Sequence, residues 1–228
     1  MKKESIIKDL ILPEKITPDL AEETGLHIGD GSMNFYEKRY GQKGLYSLRG
    51  HIIDDREHYE ERIKELYQNI YNLRIPIREM PVTGVFGFQV WSDSLVNFKN
   101  KILDLPLGKK LNVKIPSQFL KKEELSTAVI RGIYDTDGNL YLEKKNRKLY
   151  PRIEITSVSK ELSMQIHKLL RKLNLRATIY TEPKKQKNWN NRHHISVRGE
   201  EMLEKFFKII EPKNPKHLKK REYYLNSQ

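Results

Sequence analysis

The chain has 228 residues, 43 Lys and Arg against 30 Asp and Glu, a formal net charge of +13 and no cysteine. That length supports one well-buried core or two fused ones without a covalent or metal staple, and the missing cysteines exclude a disulfide framework, thiolate zinc sites and thiol catalysis. The cationic excess suits a partner that carries many phosphates.

No apolar run approaches the roughly 20 residues needed to span a bilayer, and the Lys-Lys-Glu start has no hydrophobic signal core behind it. The expectation is an intracellular protein, in cytoplasm or nucleoid, with no membrane partner. Residues 1–18 read as a lead-in segment.

The first helix ends in "TGLHIGDG", residues 24–31. "SMNFYEK" follows and alternates as a strand does, with Met33 and Phe35 inward and Ser32, Asn34 and Tyr36 outward. A second strand over 45–53 puts Ser47, Arg49 and His51 on its polar face. Asp55 then suits an N-cap, and Ile63, Leu66, Tyr67, Ile70 and Leu73 form the apolar stripe of a helix. Strands near 76–82 and 85–91 and a short helix near 93–104 complete a repeat spanning 19–111, with 112–124 as linker.

The same order then recurs over 125–228. A helix ends in "IRGIYDTDG", residues 130–138, and "NLYLEKK" alternates with Leu140 and Leu142 inward and Asn139, Tyr141 and Glu143 outward. Strand 151–158 presents Arg152, Glu154 and Thr156. Ser159 caps a helix striped by Leu162, Ile166, Leu169, Leu170 and Leu173, and both long helices exit through Asn-Leu-Arg. Strands 176–182 and 192–198 flank a basic hairpin tip, helix 200–210 follows, and residues 212–224 read as a basic tail. The order α-β-β-α-β-β-α, twice, predicts an α+β protein of two pseudo-symmetric repeats. Helices would cover one face of each antiparallel sheet and leave a polar, basic face open.

Gly25 and Gly29 are four apart, as are Gly132 and Thr136, so each Asp-Gly helix carries small side chains along one face. Two such faces can pack with their backbones nearly touching, which would bring Asp30 and Asp137 side by side. Adjacent carboxylates repel unless a cation lies between them. A hard divalent ion takes such oxygens together with water and phosphate, and activates water for phosphodiester hydrolysis. One Asp-Gly is most often only a turn, but tight packing alone does not require an acid at the same point of both copies.

On these residues the sequence resembles the LAGLIDADG homing endonucleases in their single-chain, two-repeat form. The second copy is near consensus at Gly132, Ile133, Asp135, Asp137 and Gly138; the first departs at His27 and Ile28. The resemblance implies a saddle-shaped sheet and a monomeric, intron-encoded enzyme that cuts both strands of a long duplex-DNA site across the minor groove, leaving short 3′ overhangs. It implies that Asp30 and Asp137 bind catalytic Mg²⁺, with Mn²⁺ or non-catalytic Ca²⁺ in the same places, and that Gly29 and Thr136 lend carbonyl oxygens. It also implies lysines that position water and stabilise the scissile phosphate. Lys109 or Lys110 in "PLGKK" and Lys216 in "NPKHLKK" stand where these are needed, Lys216 lying from Lys109 at the interval that separates Asp30 from Asp137.

The expected DNA contacts are the strand-face residues Asn34, Tyr36, Lys38, Ser47, Arg49, Gln89, Tyr141, Arg152, Glu154, Tyr180, His194 and Arg198. Lys184, Lys185, Lys187 and Arg192 are placed on phosphates. Trp91 reads as core or helix packing, and Trp189 as exposed and available for stacking. His193 and His194 are adjacent on a strand, so they point to opposite faces and do not share a metal. The alternatives on the same fold are a DNA-binding regulator that does not cleave and an intron RNA maturase. A pair of acids beside phosphates disfavours the regulator.

Overall fold

Two helices, α1 (Pro18–Asp30) and α5 (Glu123–Asp137), form the axis of the computed structural model, which describes residues 10–227. Residues 1–9 of the expected lead-in lie outside the described residues. Thr17 starts α1, its hydroxyl accepting Leu20 N–H at 3.2 Å, with Pro18 in the first turn, where its missing N–H costs nothing. Where the helices cross, a Cβ on Gly25 would lie 2.2 Å from Val129 O, and one on Gly132 would lie 2.1 Å from Glu22 O. The backbones are therefore in direct contact, as the small-residue stripes predict. Gly132→Ala should cost about 1–3 kcal/mol through overpacking against a carbonyl that cannot give way. Thermal unfolding should then fall by about 2–4 °C per kcal/mol.

Each helix of this pair runs directly into a strand. The glycines that end them have extended backbones, Gly31 at φ −74° and Gly138 at φ −87°, rather than the left-handed conformation usual after a helix. Space is the reason glycine is needed: a Cβ would lie 2.3 Å from His27 Nδ1 at Gly31 and 2.1 Å from Tyr134 Cδ2 at Gly138.

In the first repeat β1 (Gly31–Lys38), β2 (Gly41–His51), β3 (Arg78–Met80) and β4 (Val85–Trp91) make an antiparallel sheet in the order β1-β2-β4-β3. Between β2 and β3, α2 (Arg56–His58) passes through a π-helical turn (Tyr59–Ile63) into α3 (Lys64–Tyr71). After β4 come α4 (Asp93–Asn97) and a second π turn (Phe98–Ile102). The second repeat repeats the order as β5 (Gly138–Lys145), β6 (Lys148–Ser157), α6 (Lys160–Lys172), β7 (Ala177–Glu182), β8 (Arg192–Arg198) and α7 (Glu200–Ile210), its sheet ordered β5-β6-β8-β7. The α+β architecture of two αββαββα repeats is as the alternation and the helical stripes predict. Met33, Leu48, Leu140 and Ile153 face inward in one apolar cluster that runs through both repeats.

Residues 212–224 are not a tail. Asn214 accepts Lys216 N–H at 3.1 Å, Pro215 occupies the first turn, and α8 (Pro215–Asn226) follows. The Asn-Pro pair was a legible helix start; the run of lysines obscured it. Asp55, expected as a helix cap, makes no capping bond to α2. Its carboxylate accepts His51 N–H at 2.7 Å and reaches across to the second repeat.

Candidate active site

The pairing of α1 with α5 brings the ends of the two Asp-Gly helices together. A Cβ on Gly29 would lie 1.9 Å from Thr136 Oγ1 and 3.5 Å from Asp137 Cγ, so the last turn of α1 abuts the last turn of α5. Burial raises the Asp30 carboxyl to about 7; Asp137 and Asp55 push the same way, and Lys216 and Lys110 oppose them. Asp137 is open to solvent on one side of the helix end. Crowding by protein atoms around its carboxyl is the largest cause that raises it to about 6, with Lys110 and Lys216 again opposing. Both acids therefore give up their protons near neutral pH, where a cation between them would hold them ionised.

Of the candidate lysines, Lys110 and Lys216 reach this centre and Lys109 does not. Lys109 is exposed, with no hydrogen bond or ion pair. The neighbouring Lys110 points to the end of α1 and donates to the carbonyls of His27 at 3.0 Å, Ile28 at 2.8 Å and Gly29. Lys216 Nζ lies 2.8 Å from Asp55 Oδ1. Burial alone would raise Asp55, but the charge and hydrogen bond of Lys216 and donors from His51 and Asn214 outweigh it and hold its pKa low.

Asp55, Asn214 and His217 also shape the centre and were missed as site residues. Asn214 Nδ2 bridges Asp55 Oδ1 at 2.8 Å and Asp135 O at 2.9 Å, joining the first repeat to the end of α5. His217 Nε2 bonds Tyr134 O at 3.0 Å and its ring stacks on Tyr134 with centroids 4.2 Å apart. Burial lowers its pKa to about 3, so it is neutral and donates to the carbonyl. Asp135, the other acid of the second motif, is fully buried and accepts Lys213 N–H at 2.9 Å. Its task is to hold the start of α8.

The strand faces that begin at Asp30 and Asp137 carry most of the expected contact residues. Register places Ser32, Ser47 and Gln89 in one row and Asn34, Leu45 and Trp91 in the next. Tyr36 and Lys38 are on the same strand face, and Arg49 donates to Gln89 Oε1. Trp91 is not core: it is 38% exposed on this polar face, with Lys38 Nζ 4.2 Å from its ring centroid. Its place opposite Leu45 decides this, a pairing that the isolated strand does not reveal.

In the second sheet Tyr141, Arg152 and Arg198 share a row, and Tyr180, His194 and Thr156 another. Glu154 is nearly buried, its carboxylate taken by Arg152, by His194 at 3.2 Å and by Ser196 at 3.2 Å. Glu154 thus orients Arg152 and His194. His193 turns inward and bonds Thr181 Oγ1 at 2.9 Å, while His194 faces out, as strand alternation requires. Lys184, Lys185 and Lys187 lie exposed on the β7–β8 hairpin beside Trp189, and Arg192 begins β8 with its guanidinium 5.8 Å from the Trp189 ring.

Among the described residues no group of three or more His, Cys, Asp and Glu side chains forms a ready metal cage. The oxygen donors here are two carboxylates and two helix-terminal carbonyls. That set fits a hard divalent ion completed by water or phosphate oxygens. No described helix is long and apolar enough to cross a membrane.

Residues 124–211 match the family model of the LAGLIDADG-like domain. The chain is 28% identical over 200 residues to glutamine–fructose-6-phosphate aminotransferase of Methanocaldococcus jannaschii, covering 87% of this chain and 16% of that protein. It is 25% identical over 162 residues to a probable translation initiation factor IF-2 of the same organism, covering 69% and 14%. The chain thus spans a small part of each relative, and the two names share no activity that could belong to the matched segment. Among solved structures it resembles I-DmoI in complex with DNA and Mn, with 18% identity, a TM-score of 0.61, and 85% of this chain and 96% of that chain covered. I-DmoI also has structures with DNA and Ca and with target DNA and Mg. The likeness shows that the two chains share a fold.

Proposed function

We propose, from the premise that this chain has the two-repeat LAGLIDADG fold with a LAGLIDADG-like domain in its second repeat, that it is a site-specific, metal-dependent DNA endonuclease. One observation carries the reading: two partly desolvated aspartates meet at the ends of paired helices, and each helix opens into a strand with a polar, basic face. The repeats are assigned to 19–111 and 125–228, joined by 112–124. Duplex DNA lies along the outer strand faces, and the chain acts as a monomer on a long target.

Asp30 and Asp137 hold Mg²⁺ with the carbonyls of Gly29 and Thr136. Mn²⁺ can replace it, and Ca²⁺ binds without supporting turnover. The bound ion activates water and stabilises the leaving oxygen. Lys216, held by Asp55, and Lys110 set positive charge against the scissile phosphates. Arg49, Gln89, Arg152 and His194 contact base edges, while Lys184, Lys185, Lys187 and Arg192 hold phosphates. Cleavage of both strands across the minor groove leaves short 3′ overhangs.

The test is incubation of the purified chain with a randomised duplex library in Mg²⁺ or in EDTA, followed by sequencing of the ends produced. Metal-dependent cuts at one long site with 3′ overhangs are expected. Enrichment of a bound sequence with no ends would overturn cleavage and favour a regulator, and absence of both would turn attention to RNA.

A further inference from the structure

The two helix ends at the proposed metal centre are finished by different chemistry. At α1, one ammonium directs its three donors at three carbonyls, those of His27, Ile28 and Gly29. Helices leave their last carbonyls without partners and concentrate negative potential there, so a cation is favoured at this point.

The corresponding position of the second repeat, at the interval that relates Asp30 to Asp137, is His217. It is neutral and bonds Tyr134 O, the counterpart of His27 O, while Asn214 takes Asp135 O. No side-chain donor reaches the carbonyl of Thr136, the counterpart of Gly29. One metal-facing carbonyl is therefore already held by a positive charge, and the other is open.

An ammonium and a divalent ion seek the same lone pairs and the same carboxylate field, and cannot both occupy them at contact distance. We propose that Lys110 is a built-in competitor for the divalent ion at the Gly29–Asp30 end, so that the two metal positions are unequal and the Thr136–Asp137 end loads first. This rests on the endonuclease reading of the site.

Two anchors flank Lys110 and fix its backbone. Gly108 N–H donates to Met33 O at 2.9 Å, and Val113 O accepts Ser159 Oγ at 2.7 Å. The segment cannot withdraw, so the side chain must turn to release Gly29. A cavity of about 270 Å³ against Gly29 and Asp137, bordered by Val113, Thr156 and Arg192, gives it room. A DNA phosphate entering there would draw the ammonium away from the carbonyls, coupling substrate arrival to loading of the second ion.

The test measures Mn²⁺ binding to the DNA-free protein by electron paramagnetic resonance of the free ion, for wild type, Lys110→Met and Lys110→Gln. Wild type should show a tighter site lost in Asp137→Asn and a weaker one lost in Asp30→Asn. Lys110→Met should tighten the weaker site by about tenfold or more, since a unit charge a few ångströms away is removed. Lys110→Gln, which keeps a donor for the carbonyl without the charge, should do the same and decides the matter if Lys110→Met does not fold. Two equal sites in wild type, or weaker sites in both Lys110 variants unchanged or loosened, would overturn the competitor and leave Lys110 as a helix cap. Absence of any Mn²⁺ binding that depends on Asp30 and Asp137 would instead overturn the metal-centre reading itself.

Discussion

Glu23→Ala should unfold most of the stability margin of the protein, whereas the double change Glu23→Leu with Lys99→Met should restore it. Glu23 and Lys99 are both fully buried, with Lys99 Nζ 2.5 and 2.6 Å from the two carboxylate oxygens. Three phenols close the cage: Tyr67 donates to Glu23 at 2.5 Å, Tyr71 at 2.9 Å and Tyr46 at 3.3 Å. Lys99 also lies 4.8 Å from the Tyr46 ring centroid and 5.5 Å from that of Tyr71. Burial lowers the Lys99 pKa against the pull of Glu23, and burial followed by the Glu23 charge raises all three phenols well above their usual value.

Removing the carboxylate leaves an ammonium with no counter-charge in a closed core, which costs about 3–5 kcal/mol. Against a total of about 5–15 kcal/mol, that is a large share. Replacing both members with apolar groups of similar size is often neutral or stabilising. The chain contains its own control: the matching positions of the second repeat are Ile130 and Phe206, both fully buried. The fold therefore does not require the ion pair at this point. Urea denaturation measures both changes, and equal destabilisation of the single and double variants would assign the effect to packing shape rather than to charge.

That pair also marks the limit of reading the sequence. Glu22, Glu23 and Lys99 look like surface charges, because local spacing says nothing about a partner far away in the chain. Glu22 is fully buried and closed by Arg62 at 2.8 Å and Arg131 at 3.1 Å, a bridge between repeats that no local pattern predicts. Period-two alternation correctly assigned the strand faces, and helical stripes the cores, because each depends only on neighbours in sequence. Trp91 was misplaced because its environment is set by Leu45 and Lys38 on other strands. The Asp-Gly duplication located the centre, since both acids end helices whose small stripes force them together. Asp55, Asn214 and His217 escaped notice because they matter only once α8 folds back onto the end of α5.

Asp30→Asn should abolish cleavage and stabilise the metal-free protein at the same time. For cleavage, losing a carboxylate ligand removes several kcal/mol of charge stabilisation from the proposed metal centre, a fall of about 10³-fold or more. Asp137→Asn should match it, with DNA binding largely retained in both. For stability, the Asp30 pKa rises from 3.8 to about 7 on folding, mainly through burial and then through Asp137 and Asp55. The native protein then holds a proton that the unfolded chain has released, so this residue's contribution is fully present below about pH 4 and is lost as pH rises toward 7. An amide carries no such charge. In EDTA at pH 8, Asp30→Asn should melt above wild type, by about 2–4 °C for each kcal/mol of relieved repulsion, and the difference should vanish near pH 3. Adding Mg²⁺ should raise the wild-type melting temperature at pH 8 and narrow the gap, because a ligand that binds only the folded state stabilises it and the variant has lost a donor. A variant that melts below wild type at pH 8 would show that the Asp30 carboxylate supports the fold and would remove the repulsion on which the metal-centre reading depends.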